Sequence, residues 1–519
     1  MNDISKQVDT IFAKWDTPTT PGCILGIVHH GEIVYSRGYG MANLEYSIPN
    51  TADTVFDVGS VSKQFTAACV LLAAEQGKLS LDDDVRKFIP ELPDYGQTIT
   101  LRHLIQHTSG LRDYLDGFLL AGLDCPSVTD AYEQITHHKE LNFITGEQYS
   151  YCNSGYFLLA QVIQRATGKT LRQFANELIF QPLGMTHTFF HDDYPEIIRN
   201  RATGHTPHPN GGYGISVFPS EAVVGAGGLQ STLNDLLIWE RNYYNNRLGS
   251  RGAAFIQDML KSGALNNGET TYYGLGLSVF QYRGLFVCQH AGAIAGYCAH
   301  FLTFPDKEFS VICLTNTNDV ALNEMVRKVA DLYLVDEYPE PASATVSLSN
   351  EQRKAVCGHY LNLSIPMVVH VIEYEGKMFA DLSGCTDMLT PTSSVDFSGT
   401  GLLFGIHFHM DSAYLEITPE AGQRIILERF EPTHPTPEML AAYAGTYYSP
   451  ELKAERTFVL RENILGVETR MGNSPFSPLK LDMFQVANVV ICFEPANNGK
   501  SAGCRISTGW TRRVLFERK

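Results

Sequence analysis

Ser60-Val61-Ser62-Lys63 places a hydroxyl and an amine at the spacing that one helical turn brings together. A serine hydroxyl is a weak nucleophile at neutral pH and needs a base beside it. The i, i+3 spacing offers the Lys63 amine without help from any distant segment. Gly59 permits an abrupt entry into the turn. The free amides of a first helical turn point toward whatever Ser60 attacks. The chemistry this suits is acyl transfer through a covalent serine ester. A capping serine followed by a solvated lysine would show the same spacing, so the surrounding elements must decide.

The motif opens a long apolar run. Ala67 to Glu75 extends its helix, and Gly77 ends it. Upstream, Cys23 to Val28 and Ile33 to Ser36 flank a turn at His29-His30-Gly31-Glu32 and read as a hairpin. Downstream, residues 285–288, 298–304 and 309–314 read as three strands, with Ala321 to Leu334 as a helix after them. Strands from both ends of this region imply one antiparallel sheet with the terminal helices against it. The stretch between, about 60–280, is mainly helical. It includes Tyr156 to Thr167 and Asn234 to Asn245, the latter opened by a capping box of Thr232 and Asp235. The site then lies in a cleft between sheet and helices.

Glu337 to Ala342 reads as a linker. Beyond it come short alternating strands. Ala355 to Tyr360 and Ala442 to Tyr447 look like one element used twice, each after a short helical stretch. Pro432, Pro435 and Pro437 mark the joint. Two tandem antiparallel β-barrels fit this repeat, with a single larger β-sandwich as the alternative. The expected fold class is α+β, in units spanning 1–338, 345–431 and 438–519.

The chain has 519 residues, enough for about three domains. Its net charge of -17 argues against nucleic acid and anionic membranes as partners. No apolar run reaches the ~20 residues that span a bilayer. The first residues lack the basic start and apolar core of a secretory signal. Eleven cysteines, an odd number without C-x-x-C pairs, suggest reduced thiols and a cytoplasmic protein. Cys152 is a poorer nucleophile candidate than Ser60, because local spacing places no base beside it. His205-x-x-His208 and His407-x-His409 have metal-like spacing but no acidic or cysteine partner nearby, so no metal is expected. Asp82-Asp83-Asp84 reads as a solvated turn. Gly225-Ala226-Gly227-Gly228 lacks the strand–loop–lysine setting of a phosphate site.

Two further segments carry a resemblance. Tyr149-Ser150-Tyr151-Cys152-Asn153 and Cys288-Gln289-His290-Ala291-Gly292 follow Ser60-x-x-Lys63 in the order of the three motifs of serine β-lactamases and penicillin-binding proteins. Tyr151-x-Asn153 resembles the class C β-lactamase branch, and His290-x-Gly292 resembles its peptidase and esterase relatives. Leu104 to Leu111, Phe180 to Met185 and Gly227 to Thr232 resemble recurring landmarks of this superfamily. The resemblance spans roughly residues 5–335. Ser62 to Thr66, Gly110 to Tyr114 and Tyr149 to Asn153 are most similar to the D-stereospecific aminopeptidases. That branch also has two β-barrels after the catalytic domain.

The resemblance implies Ser60 as nucleophile, Lys63 as base or orienting cation, and Tyr151 as partner in the acid–base work. Which of the two takes the serine proton stays open, and the pair may titrate as one unit. It implies that Asn153 orients Lys63 and the substrate amide. His290 would pass a proton to the leaving group or bind substrate. Gly292 would leave a strand edge open to a ligand, and the amides of Ser60 and Ala293 would hold the oxyanion. The implied substrates are small peptides, amides or esters, with D-aminopeptidase activity first. A carboxylesterase, a D-Ala-D-Ala carboxypeptidase and a β-lactamase are the alternatives, and an inactive peptide-binding relative is the rival from another class. No cofactor is implied, and a homodimer is compatible. In the aminopeptidases a loop of the last barrel brings an aspartate to the substrate's amino group. The matching stretch, Glu468 to Phe476, has no aspartate, and Arg470 would repel an ammonium.

Overall fold

The computed structural model describes residues 3–123, 126–339, 345–382, 385–399, 407–410, 413–419, 423–469, 472–495 and 499–519. A six-stranded antiparallel sheet forms the centre of the first part. Its order is Ser278–Tyr282, Leu285–Ile294, Tyr297–Phe304, Phe309–Thr315, Cys23–His29 and Glu32–Tyr39. The last of these pairs along Cys23–His29 as the expected hairpin. The edge strand Ser278–Tyr282 was not legible in the sequence. It pairs with Leu285–Ile294 only as far as Gln289, so residues 290–294 have a free edge.

Both faces of the sheet are covered, and side chains alternate between them. Leu25 and Ile27 meet Val8, Phe12, Val326 and Val329 of the terminal helices Asp3–Phe12 and Leu322–Leu334. Ile24, Ile312 and Leu314 join the larger core on the helical side. The helix Ser62–Glu75 runs through that core, buried on all sides from Ser62 to Ala73. From Ala67 to Ala73 it is apolar all round, the pattern of a helix buried on every side, and its buried polar residues, Ser62, Lys63, Gln64 and Thr66, lie at its start. The helix expected from Tyr156 starts earlier, at Asn153, and ends at Gly168 in the left-handed conformation. Thr232 does cap Leu233–Asn242 by accepting from the Asp235 amide. The reciprocal half of the box is not made: the Asp235 carboxylate accepts from the His187 amide and the Thr188 hydroxyl instead.

The C-terminal part is two β-barrels. Eight strands from Gly358–Asn362 to Ile425–Phe430 close on one another, His359 pairing with Phe430. A nine-stranded sheet follows, and its two edges, Gly472–Pro475 and Ser477–Pro478, are consecutive in the chain. The sheet therefore curls until its edges nearly meet at Phe476. The repeated element has one construction in both barrels. A short helix, Asn350–Val356 or Pro437–Tyr443, leads into the first strand. Tyr360 donates back to Val356 O and Tyr447 to Tyr443 O. An arginine on the last strand caps the helix's end. Arg429 donates to Ala355 O and Cys357 O, and Arg518 to Ala442 O and Ala444 O. These are carbonyls that a helix leaves unpaired.

The second barrel is fastened to the first part by a buried ion pair. Arg112 Nη1 donates to both carboxylate oxygens of Glu451, at 2.5 and 2.7 Å, with the two side chains 1% and 8% exposed. Glu451→Ala leaves that cation uncompensated except for half-exposed Glu140. The expected loss is about 3–5 kcal/mol, read as a lower denaturant midpoint. Arg112→Met with Glu451→Leu should recover most of it.

Candidate active site

Ser60 lies in a 3₁₀ turn, Gly59–Val61, that continues directly into the helix Ser62–Glu75. Its side chain is half-buried, whereas Lys63 behind it is fully buried. Lys63 Nζ donates to Ser60 Oγ at 3.1 Å, to Asn153 Oδ1 at 2.9 Å and to Ala226 O at 2.6 Å. Burial pulls the amine down to about 7, against the opposing pull of Asp113. Near neutrality a large fraction is therefore unprotonated. The ammonium can donate to all three acceptors; the neutral amine has a lone pair for the Ser60 proton.

The Tyr151 ring lies 4.8 Å from Lys63 Nζ. Burial pushes its phenol well above the usual value, although the Ser60 hydroxyl beside it works the other way. Burial thus favours the neutral form of both groups, the phenol of Tyr151 and the amine of Lys63. Two neighbours not read from the sequence position Tyr151. His107, with φ +59°, packs against its ring at 4.4 Å between centroids, the planes tilted by 37°, and accepts the Cys152 amide at Nδ1. Asp113 accepts the Asn153 amide at 2.5 Å and caps the helix Tyr114–Ala121. Both lay within or beside the landmark segments, but nothing in their spacing marked the contact. Cys152 is buried, and burial raises its thiol to about 12, which removes it as a nucleophile.

His290 stands near Tyr151, with ring centroids 6.2 Å apart. Its Nδ1 lies 2.6 Å from Ala291 O, and a carbonyl only accepts. Burial holds the ring down at about 3, so it is neutral and the one proton sits on Nδ1. Nε2 then accepts from the Tyr273 hydroxyl at 3.0 Å. Both ring nitrogens are thus engaged within the protein.

Gly292 lies on the free edge at 290–294 and meets a second constraint as well. A Cβ there would stand 2.0 Å from Val58 O, and one on Gly59 (φ +51°) would stand 2.7 Å from Ala293 N. What a side chain at Gly292 would strike is the backbone of the nucleophile's own turn. The two glycines let residues 58–60 pack on the face of the sheet at 292–293, which brings the Ser60 and Ala293 segments together. The glycine-rich run 225–228 serves a similar purpose. It supplies Ala226 O to Lys63 and Gly225 O to Thr66, and a Cβ on Gly225 would meet Tyr156 O at 2.5 Å.

The second barrel reaches this site through residues 508–513, between its last two strands. Trp510, 42% exposed, lies 5.6 Å from the Tyr151 ring. Its amide donates to Asp116, and its carbonyl accepts from the Asp113 amide and from Asn142. The stretch expected to do this, Glu468 to Phe476, pairs Glu468 with Asn473 in a hairpin whose residues 470 and 471 lie outside the described ones, and Phe476 is buried in the barrel core. Arg470 lies outside the described residues, as do the side chain of His407 and thus that half of His407-x-His409. Among the described residues no cluster of three metal-binding side chains occurs.

A family model described as Beta-lactamase matches residues 8–334. The chain belongs to the beta-lactamase family. It is a serine hydrolase of that fold. It is 28% identical over 427 residues to penicillin-binding protein 4* of Bacillus subtilis, covering 76% of this chain and 91% of that protein. It is 26% identical over 530 residues to D-aminopeptidase of Cereibacter sphaeroides, covering 96% of each. Two solved structures share the fold. The octameric penicillin-binding protein homologue from Pyrococcus abyssi has a TM-score of 0.58 at 24% identity, covering 82% of this chain and 100% of that one. D-amino acid amidase from Ochrobactrum anthropi has a TM-score of 0.55 at 21% identity, covering 65% and 100%.

In this family member, Gly292→Ala should move the Ser60 turn while leaving the sheet intact. A displacement of ~1 Å costs about 100-fold in rate. Acylation by a reactive ester should fall by that order, with an unchanged circular dichroism spectrum.

Proposed function

We propose that the chain hydrolyses amide bonds by forming an acyl-enzyme on Ser60. The observation that carries this reading is the Lys63 amine, buried, depressed to about 7 and 3.1 Å from Ser60 Oγ. Neutral Lys63 takes the hydroxyl proton as Ser60 Oγ attacks the substrate carbonyl. The amides of Ser60 and Ala293 receive the oxyanion. Lys63 returns the proton to the leaving amine, with the Tyr151 hydroxyl in reach as a relay. Water then attacks the ester by the same route, releasing acid and free Ser60. Asn153 holds the amine in place, and His290 with Tyr273 is a neutral wall. No cofactor enters the reaction.

The substrate class proposed first is a small D-amino-acid amide or peptide, after the D-aminopeptidase relatives. One observation favours a second reading, a substrate recognised without a free amine, such as an ester. Asp113 and Asp116, the carboxylates beside the 508–513 loop, are taken up by backbone amides and by Thr508. Trp510 adds an aromatic wall there. We propose that the three units are those at 1–338, 345–431 and 438–519, with the hydrolytic residues in the first. We also propose a cytoplasmic protein. The described cysteines are all free thiols, and among the described residues no helix is long and apolar enough to cross a membrane.

A fluorophosphonate should label Ser60 and leave Ser60→Ala unlabelled; label on Cys152 would overturn the assignment. The acylation rate should rise with pH through about 7, because the deprotonated amine is the active form, and Lys63→Ala should lose both the rate and that profile. Flat acylation from pH 5 to 9 would remove Lys63 as the base. D- and L-amino-acid anilides, nitrophenyl esters and a chromogenic cephalosporin separate the substrate readings. Trp510→Ala should lower kcat/KM for bulky apolar substrates roughly tenfold, a typical worth for pocket contacts, and leave small acetyl esters nearly unchanged.

A further inference from the structure

Where both barrels meet the segment 142–148, a cavity of about 300 Å³ lies apart from Ser60. Arg512 forms its floor and is 3% exposed. Arg512 Nη1 donates to Gln148 Oε1 at 3.1 Å and to Ser364 O at 3.0 Å, both neutral acceptors. Its Nε is shut off from water without a hydrogen-bond partner. Among the described residues Arg512 makes no ion pair, in contrast to buried Arg112 with Glu451. Arg513 stands at the rim and adds a second cation; burial and that neighbouring charge both pull Arg512 down, to about 10. The Arg512 guanidinium lies over the Phe143 ring, 5.5 Å from its centroid, but that contact brings no negative charge, and a buried cation is ordinarily paired with one because leaving it uncompensated is costly.

We infer that this cavity binds a small organic carboxylate with an apolar tail. A guanidinium fork matches a carboxylate. Phe143, Ile144, Leu363 and Pro366 line the same space and suit a hydrocarbon tail better than a bare inorganic ion. The volume is at the lower end of that of ligand pockets. Exposed Glu147 is the carboxylate at the rim, and it is paired with neither arginine; it disfavours a dianion and admits a monoanion. The occupant would also fasten the loop that holds Trp510 against Tyr151, since Arg512 follows Trp510 by two residues.

The test is calorimetric titration of the full chain with 4-methylpentanoate at constant ionic strength, with 4-methylpentanol as the uncharged control. Saturable binding of the acid alone is expected. Arg512→Gln should weaken it at least tenfold, the usual effect of losing a charge-assisted hydrogen bond. Should Arg512→Gln fail to fold by circular dichroism, Arg513→Gln at the rim should still weaken binding several-fold. Glu147→Gln should tighten it, by removing the repelling carboxylate. Undiminished binding in Arg512→Gln or Arg513→Gln would place the ligand elsewhere and overturn the inference. Weaker binding in Glu147→Gln would make Glu147 the partner of the ligand or of Arg512 and overturn it too. So would the absence of saturable heat in both the native chain and Glu147→Gln.

Discussion

An amine without water around it must find its acceptors in the protein, and Lys63 finds three. They come from three separate segments: Ser60 from its own turn, Asn153 from the start of the next long helix, and Ala226 from the glycine-rich run. Burial lowers the amine toward neutrality, and the acceptors keep it in one place. Much of the helical part is arranged to meet that condition. Asp113 anchors the Asn153 amide, and glycine at 225 lets the run pass close to Tyr156.

A second constraint is the contact of two backbones. The sheet would have an ordinary paired strand at 290–294 if Ser278–Tyr282 were longer. It stops at Gln289, and the turn before Ser60 packs on the face of the strand just beyond that point. Glycines at 59 and 292 make that approach possible. The Ser60 and Ala293 segments come together because no side chain lies between them. The sheet thus supplies rigidity to an otherwise helical site.

The second barrel is part of this arrangement. The Arg112–Glu451 pair holds it to the helical region, and residues 508–513 are bonded to Asp113, Asp116 and Asn142. Asp113 therefore faces two ways, its side chain toward Asn153 and its backbone toward the loop. A shift of the loop would be felt at the helix start that positions Lys63.

Local pattern determined a good deal. Ser60 and Lys63 are three residues apart on a helix, so their contact needs only that helix. The hairpin at 23–39, the strands after 285 and the twice-used barrel element were legible from alternation and turn residues, because each is a short-range regularity. Motif order carried Tyr151, Asn153 and His290 to the same site. Tertiary structure alone decided the rest. The protonation of Lys63 and Tyr151 depends on burial, which no spacing encodes. The proton of His290 is placed by Ala291 O and Tyr273, and Gly292 is explained by a backbone 234 residues earlier in the chain. The loop 508–513 enters the site because the curl of the barrel's sheet determines which of its turns faces the neighbouring part. Such choices depend on contacts between distant segments, and a linear pattern contains no distances.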